Sequence, residues 1–116
     1  MKRNFRLTRS TDFKRVRRFG KSYAHPLIVL VTLPAEGDKT RIGVAAGRSI
    51  GNAVQRNQAK RMLREALRPM LPTIKSGWNI ILLSRRSMTS TTLTETQAAL
   101  NQLFLRAGLL IEIDAS

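Results

Sequence analysis

Apolar positions along the chain follow two periodicities. Residues 27–33 (LIVLVTL) form a continuous aliphatic run bracketed by Pro26 and Pro34. The run is rich in β-branched side chains and too short for a helix, so it reads as a buried strand. Glu36-Gly37-Asp38 supplies turn chemistry after it. Residues 41–47 (RIGVAAG) read as a second strand, expected to pair antiparallel with the first. Residues 78–84 (WNIILLS) read as a third. Helical spacing takes over elsewhere. Residues 53–68 place Ala59, Met62, Leu63, Ala66 and Leu67 on one face and are closed by Pro69 and Pro72. Leu100, Leu103, Phe104 and Ala107 follow the i, i+3, i+4, i+7 rule, with Thr92 and Glu95 as a capping box and Gly108 as the C-cap. Near the start, Ser10 is placed to cap a short helix with Phe13 and Val16 on one face. Residues 109–113 read as a short strand or a docked end. The order helix, strands, helix, strand, helix predicts an α/β sandwich of two layers.

Length allows one domain, residues 1–116, and composition narrows its class. The longest apolar run, residues 27–31, is far short of the roughly 20 residues that a bilayer span needs. Cysteine is absent, which excludes a disulfide scaffold, a thiolate zinc site and a cysteine nucleophile. A single histidine argues against histidine metal sites. Charge changes the picture most. Twenty-one Lys and Arg face seven Asp and Glu, a net +14. Such an excess repels itself unless a polyanion answers it, with nucleic acid the first candidate and an anionic membrane surface the second. Residues 1–21 carry nine bases and one acid, Asp12. That composition suits a transit peptide, but the spacing of Phe13 and Val16 favours a folded helix.

The helix of residues 53–68 concentrates the charge. At about 100° per residue, Arg56, Lys60, Arg61, Arg64 and Arg68 fall on one side, with Asn57 among them. Solvated helix faces commonly alternate charge sign, because opposite charges at i,i+4 stabilise by about 0.2–0.5 kcal/mol. Here Arg56–Lys60, Lys60–Arg64 and Arg64–Arg68 are all repulsive, and Glu65 is the only acid in the helix. A ridge that is unfavourable by itself points to an external anion. Arginine forks grip phosphate bidentately, and Asn57 offers a donor and an acceptor to a ribose hydroxyl or base edge. Upstream, Arg48 and Asn52 lie in the turn entering the helix, whose N-terminal N–H groups suit a further phosphate.

Residues 50–65, IGNAVQRNQAKRMLRE, resemble the signature of the bacterial ribonuclease P protein family, G-N-A-V-x-R-N-x-x-K-R-x-x-R-E after a strand. Arg6-Leu7 before a helix containing Asp12-Phe13, and Arg41-Ile42-Gly43-Val44 ahead of the motif, extend the resemblance over nearly the whole chain. The resemblance implies a small, mostly antiparallel central sheet with a left-handed β-α-β crossover, a hand that general chirality rules do not predict. It also implies the protein subunit of a ribonucleoprotein endonuclease whose RNA performs catalysis, removing the 5′ leader of precursor tRNA. On that reading the protein alone is inactive and has no catalytic residue. Arg48, Asn52, Arg56, Asn57, Lys60, Arg61, Arg64 and Arg68 would face the catalytic RNA. Phe13, Lys14, Arg17 and Val31 would form a cleft for the leader. Mg²⁺ would be held mainly by RNA phosphates, not by the protein. The partners would be the ribonuclease P RNA and precursor tRNA, with no membrane and no obligate protein partner, in the bacterial cytoplasm. Two departures from the family pattern stand out. Gly47-Arg48-Ser49 replaces S-K-K, and Arg17 and Val31 stand where aromatics are common. The cleft would then lean on Arg17, Lys14 and phosphate attraction more than on stacking.

Other tempting residues read more plainly. Phe13 suits core and cleft equally. Phe19 and Tyr23 read as packing or rim residues, and Trp78 as core edge. His25, before a proline, reads as structural or exposed. Ser84, Ser87 and Ser90 lack a neighbouring base. Arg85-Arg86 fits a secondary RNA contact or a solvated turn. Two other classes compete with the ribonucleoprotein reading: a ribosomal protein, and a basic peripheral membrane protein that would need an apolar face beside its cations.

Overall fold

The computed structural model describes residues 6, 7 and 9–111. Three helices, α1 (Ser10–Phe19), α2 (Ala53–Leu67) and α3 (Leu93–Ala107), accompany four strands, β1 (Lys21–Ala24), β2 (Ile28–Pro34), β3 (Arg41–Ala46) and β4 (Trp78–Ser84). Short 3-10 turns follow β3, α2 and β4. The strands form one mixed sheet in the order β1-β2-β4-β3. β1 with β2 and β2 with β4 are antiparallel, whereas β3 with β4 is parallel. The expected antiparallel pairing of the strands at 27–33 and 41–47 is therefore wrong, because β4 lies between them. Ile80, Ile81 and Leu82 of β4 are fully buried and fill both faces, which only a central strand can do. β3, with Arg41 and small Gly43, Ala45 and Ala46, takes the edge beyond it. α2 makes the crossover between the two parallel strands. β1, only KSYA, has too little apolar character to be read from sequence.

Side-chain alternation sends the strand residues to two unequal cores. Ile28, Leu30, Ile42, Ile80 and Leu82 meet Leu63, Ala66 and Leu67 of α2 and Ala99, Leu100, Leu103 and Phe104 of α3. On the opposite face, Leu7 and Val16 cover Val31 and Ile81, with Phe13, Val29, Leu33 and Leu83 at the margin. α2 and α3 thus form a full layer, while α1 covers only part of the other face.

Helix ends show where local rules held. Gly108 closes α3 in the left-handed conformation, as expected. Thr92 accepts the Glu95 N–H at 3.1 Å, but the Glu95 carboxylate accepts from the Thr91 hydroxyl, so the box is only half made. Ser10 does not cap α1. The N-cap is Arg9, without a side-chain bond, and Ser10 is the first helical residue. Of the tail, Leu109 is buried and Leu110 bridges to Ile74; residues 112 and 113 lie outside the described residues, as do residues 1–5 and 8 of the basic N-terminal stretch.

Candidate nucleic-acid interface

α2 begins with a complete local device. Asn52 Oδ1 accepts the Gln55 N–H at 2.9 Å, and the Gln55 side-chain oxygen accepts the Asn52 N–H at 3.0 Å. The Gln55 amide folds back where a Cβ on Gly51 would stand, and Gly51 has φ 137°. A side chain there would be strained twice over. This cap narrows the expected anion site at the helix start, since the N–H groups of Asn52 and Gln55 are already satisfied. Asn52 keeps its amide NH₂ for an outside partner, and Arg48 stays exposed in the preceding turn.

Along α2 the division of faces follows the expected pattern. Ala59, Leu63, Ala66 and Leu67 are buried and Met62 half-buried, while Asn57, Arg61 and Arg68 are exposed and Arg56, Lys60 and Arg64 partly so. Asn57, Lys60, Arg61, Arg64, Glu65 and Arg68 line an open groove of 360 Å³ with Arg6 as the seventh member. Arg6 escaped the sequence reading as an interface residue. A parallel bridge to Ile42 holds it against β3. No local spacing could have announced that; only the return of the chain to the β3 edge brings it there.

Only two ion pairs form among the described residues. Arg68 forks onto Glu65 at 3.1 Å, and Arg15 reaches Glu36 at 3.8 Å. Arg56, Lys60, Arg61 and Arg64 therefore have no carboxylate partner among the described residues, whereas Arg68 is partly neutralised. Four unpaired cations on one helix face repel one another, and a polyanion relieves that cost.

A second candidate surface lies across the sheet. Strand register aligns Ser22, Val31, Ile81 and Gly43 in one row, and Ala24, Val29, Leu83 and Ala45 in the next. α1 crosses the first row with Val16 pointing down. At about 100° per residue, Phe13 and Arg17 then turn to one flank of α1, and Asp12 and Arg15 to the other. The second flank is fixed by a 530 Å³ hollow that Asp12 and Arg15 share with Glu36, Asp38, Arg41 and Asn79. Phe13 and Arg17 thus overlook Val29, Leu83 and Ala45, which are partly exposed. These three floor residues were missed because their facing depends on register. Two expected cleft residues fall elsewhere. Val31 is only 2% exposed, sealed beneath α1, so it is core and not an open contact. Lys14 lies nearly opposite Val16 and points away from the sheet.

The remaining residues settle simply. His25 Nδ1 accepts the Leu27 N–H at 3.1 Å, a turn-forming bond. Trp78 packs at the margin of the larger core, as does Tyr23. Phe19 is exposed, with the Arg18 guanidinium over its ring. Ser87 donates to the Pro26 carbonyl, and Ser84 donates to Arg85 O. No three His, Cys, Asp or Glu side chains gather into a metal-ligating group among the described residues, and no described helix is long and apolar enough to cross a membrane.

A small mixed sheet, a helical layer and a helix face crowded with cations define a basic α+β protein. Comparison with known proteins makes that class specific. The family model for ribonuclease P matches residues 1–108. The ribonuclease P protein component of Symbiobacterium thermophilum is 40% identical over 111 residues, covering 95% of this chain and 96% of the relative. That of Herpetosiphon aurantiacus is 38% identical over 109 residues, covering 94% and 89%. The ribonuclease P protein of Staphylococcus aureus superposes with a TM-score of 0.82 at 29% identity, over 91% of this chain and 97% of that one. The Thermotoga maritima protein gives 0.78 at 27% identity, over 87% and 96%. The chain belongs to the ribonuclease P protein family. Its place is in tRNA processing, within an endoribonuclease complex that has an RNA partner.

Proposed function

We propose that the chain binds the catalytic RNA of ribonuclease P through the α2 ridge, and the single-stranded 5′ leader of precursor tRNA through the cleft beside α1. The observation that carries this reading is the set of four cations, Arg56, Lys60, Arg61 and Arg64, on one side of α2 without carboxylate partners among the described residues. Phosphates supply the missing countercharge, and release of their counterions drives association. Asn57 and the free Asn52 amide hydrogen-bond sugar or base edges beside the phosphate contacts, and Arg48 extends the cationic strip past the helix start. In the cleft, Phe13 provides one stacking surface and Arg17 a planar cation, above an aliphatic floor.

Phosphodiester hydrolysis needs an activated water and stabilisation of developing charge, a task suited to divalent metal. The described residues do not fit a protein-held Mg²⁺, since they bring no cluster of carboxylates together. We place Mg²⁺ on the RNA, and catalysis with it. The protein's part is to screen two polyanions from each other and to hold the leader in place, so that the complex works at lower Mg²⁺.

Reconstitution tests this reading. Purified protein alone should leave precursor tRNA intact, and adding it to its partner RNA should restore cleavage at Mg²⁺ levels where that RNA is inactive. Cleavage by protein rigorously freed of RNA would overturn it.

A further inference from the structure

Gly43 sits in the middle of edge strand β3, buried, and opposite Ile81 in the parallel register. Its φ lies outside the left-handed region, so the backbone there accepts any residue. Space is what demands glycine. A Cβ on Gly43 would stand 2.6 Å from Cε2 of the Phe13 ring, closer still to Cζ, and 3.2 Å from the Leu7 carbonyl oxygen. The neighbours of Gly43 in its row, Val31 and Ile81, carry side chains that meet Val16 and Leu7. Gly43 leaves a notch in that row, and the tip of the Phe13 ring occupies it. The Leu7 carbonyl closes the notch from above, on a backbone held by the Leu7 N–H bond to Ile42 O at 3.1 Å.

We propose that Gly43 is a positioning residue for leader recognition: its bare Cα seats the Phe13 ring on β3 and so fixes where the α1 wall of the cleft stands. This rests on the cleft reading given above. A side chain at 43 displaces the tip of the ring, the movable partner in the contact, because the Leu7 carbonyl oxygen leaves a Cβ little room to shift the other way. Phe13 then leaves the flank it shares with Arg17, and the cleft loses that aromatic surface. The α2 ridge lies on the other side of the sheet and does not move.

The test is a cycle of Gly43→Ala and Phe13→Leu in the reconstituted holoenzyme. Leucine lacks the ring atoms that a Cβ at 43 would strike. The readout is the leader contrast: affinity for precursor tRNA divided by affinity for the same tRNA without its leader. Phe13→Leu should lower this contrast by about five-fold or more, the low end of losing one stacked base. Gly43→Ala should lower it as much, with affinity for the catalytic RNA unchanged. In the Phe13→Leu background, Gly43→Ala should add nothing. Equal losses from Gly43→Ala in both backgrounds, or a loss of catalytic-RNA affinity with it, would mean a general structural role and overturn the proposal. An effect of Phe13→Leu without one of Gly43→Ala overturns the proposal but leaves the cleft reading standing. No effect of Phe13→Leu overturns both. If Gly43→Ala does not fold alone, recovery of its thermal midpoint by Phe13→Leu supports the contact, and failure to recover refutes it.

Discussion

The α2 ridge and the α1 cleft lie on opposite sides of one sheet and are built in opposite ways. The ridge is a local object. Its members come from one helix, three and four residues apart, and Asn52 and Gln55 fix where that helix starts. The cleft is assembled from four separate segments: α1 contributes Phe13 and Arg17, and β2, β4 and β3 contribute Val29, Leu83 and Ala45. The ridge rests on the larger core, where Leu63 and Leu67 are fully buried, while the cleft wall rests on Val16 and the notch at Gly43. A site made by periodicity tolerates drift elsewhere in the molecule; a site made by register and close approach does not. Charge sorts the two sides as well. The hollow on the far flank of α1 sets Asp12, Glu36 and Asp38 beside Arg15, Lys39 and Arg41 and is balanced in charge, whereas the groove on α2 sets five cations against Glu65 alone.

Substitutions separate the two sides, beginning with the largest effect. Leu63→Ala removes a fully buried side chain between α2 and the sheet, and should lower unfolding stability by about 2–5 kcal/mol in urea titrations. If instead the loss is near zero, α2 is not anchored by the larger core as described. Phe13→Ala should cost about 1–3 kcal/mol in precursor binding with little change for mature tRNA. Equal losses for both RNAs would remove Phe13 from the cleft. Arg61→Ala and Arg64→Ala should each weaken catalytic-RNA binding and flatten the slope of log K against log salt by about 0.7–0.9, one phosphate contact each. Unchanged slopes in both variants would take the ridge out of the interface. Smallest of all, Glu65→Gln breaks the exposed pair with Arg68, changing stability by less than about 1 kcal/mol. It should steepen the salt slope, because Arg68 becomes available to phosphate. An unchanged slope would place Arg68 outside the contact.

The sequence by itself determined the existence of β2, β3, β4, α2 and α3, the core face of α2 and the ridge opposite it. Each of these depends on spacings of two to four residues, which the backbone geometry of a strand or helix converts directly into a face. It also carried the family signature at residues 50–65, whose expectation the comparisons met. Only the tertiary structure decided which strand lay at the centre. β4 displaced the expected β2–β3 pair because burial on both faces outweighs proximity in the chain. Tertiary structure likewise sank Val31 under α1, turned Lys14 outward, brought Arg6 to the groove and exposed Val29, Leu83 and Ala45 as a floor. Those placements depend on which row of the sheet α1 crosses. That is settled by the fit of Val16 and Phe13 against Val31, Ile81 and Gly43, residues that meet across long stretches of chain and leave no periodic trace in it.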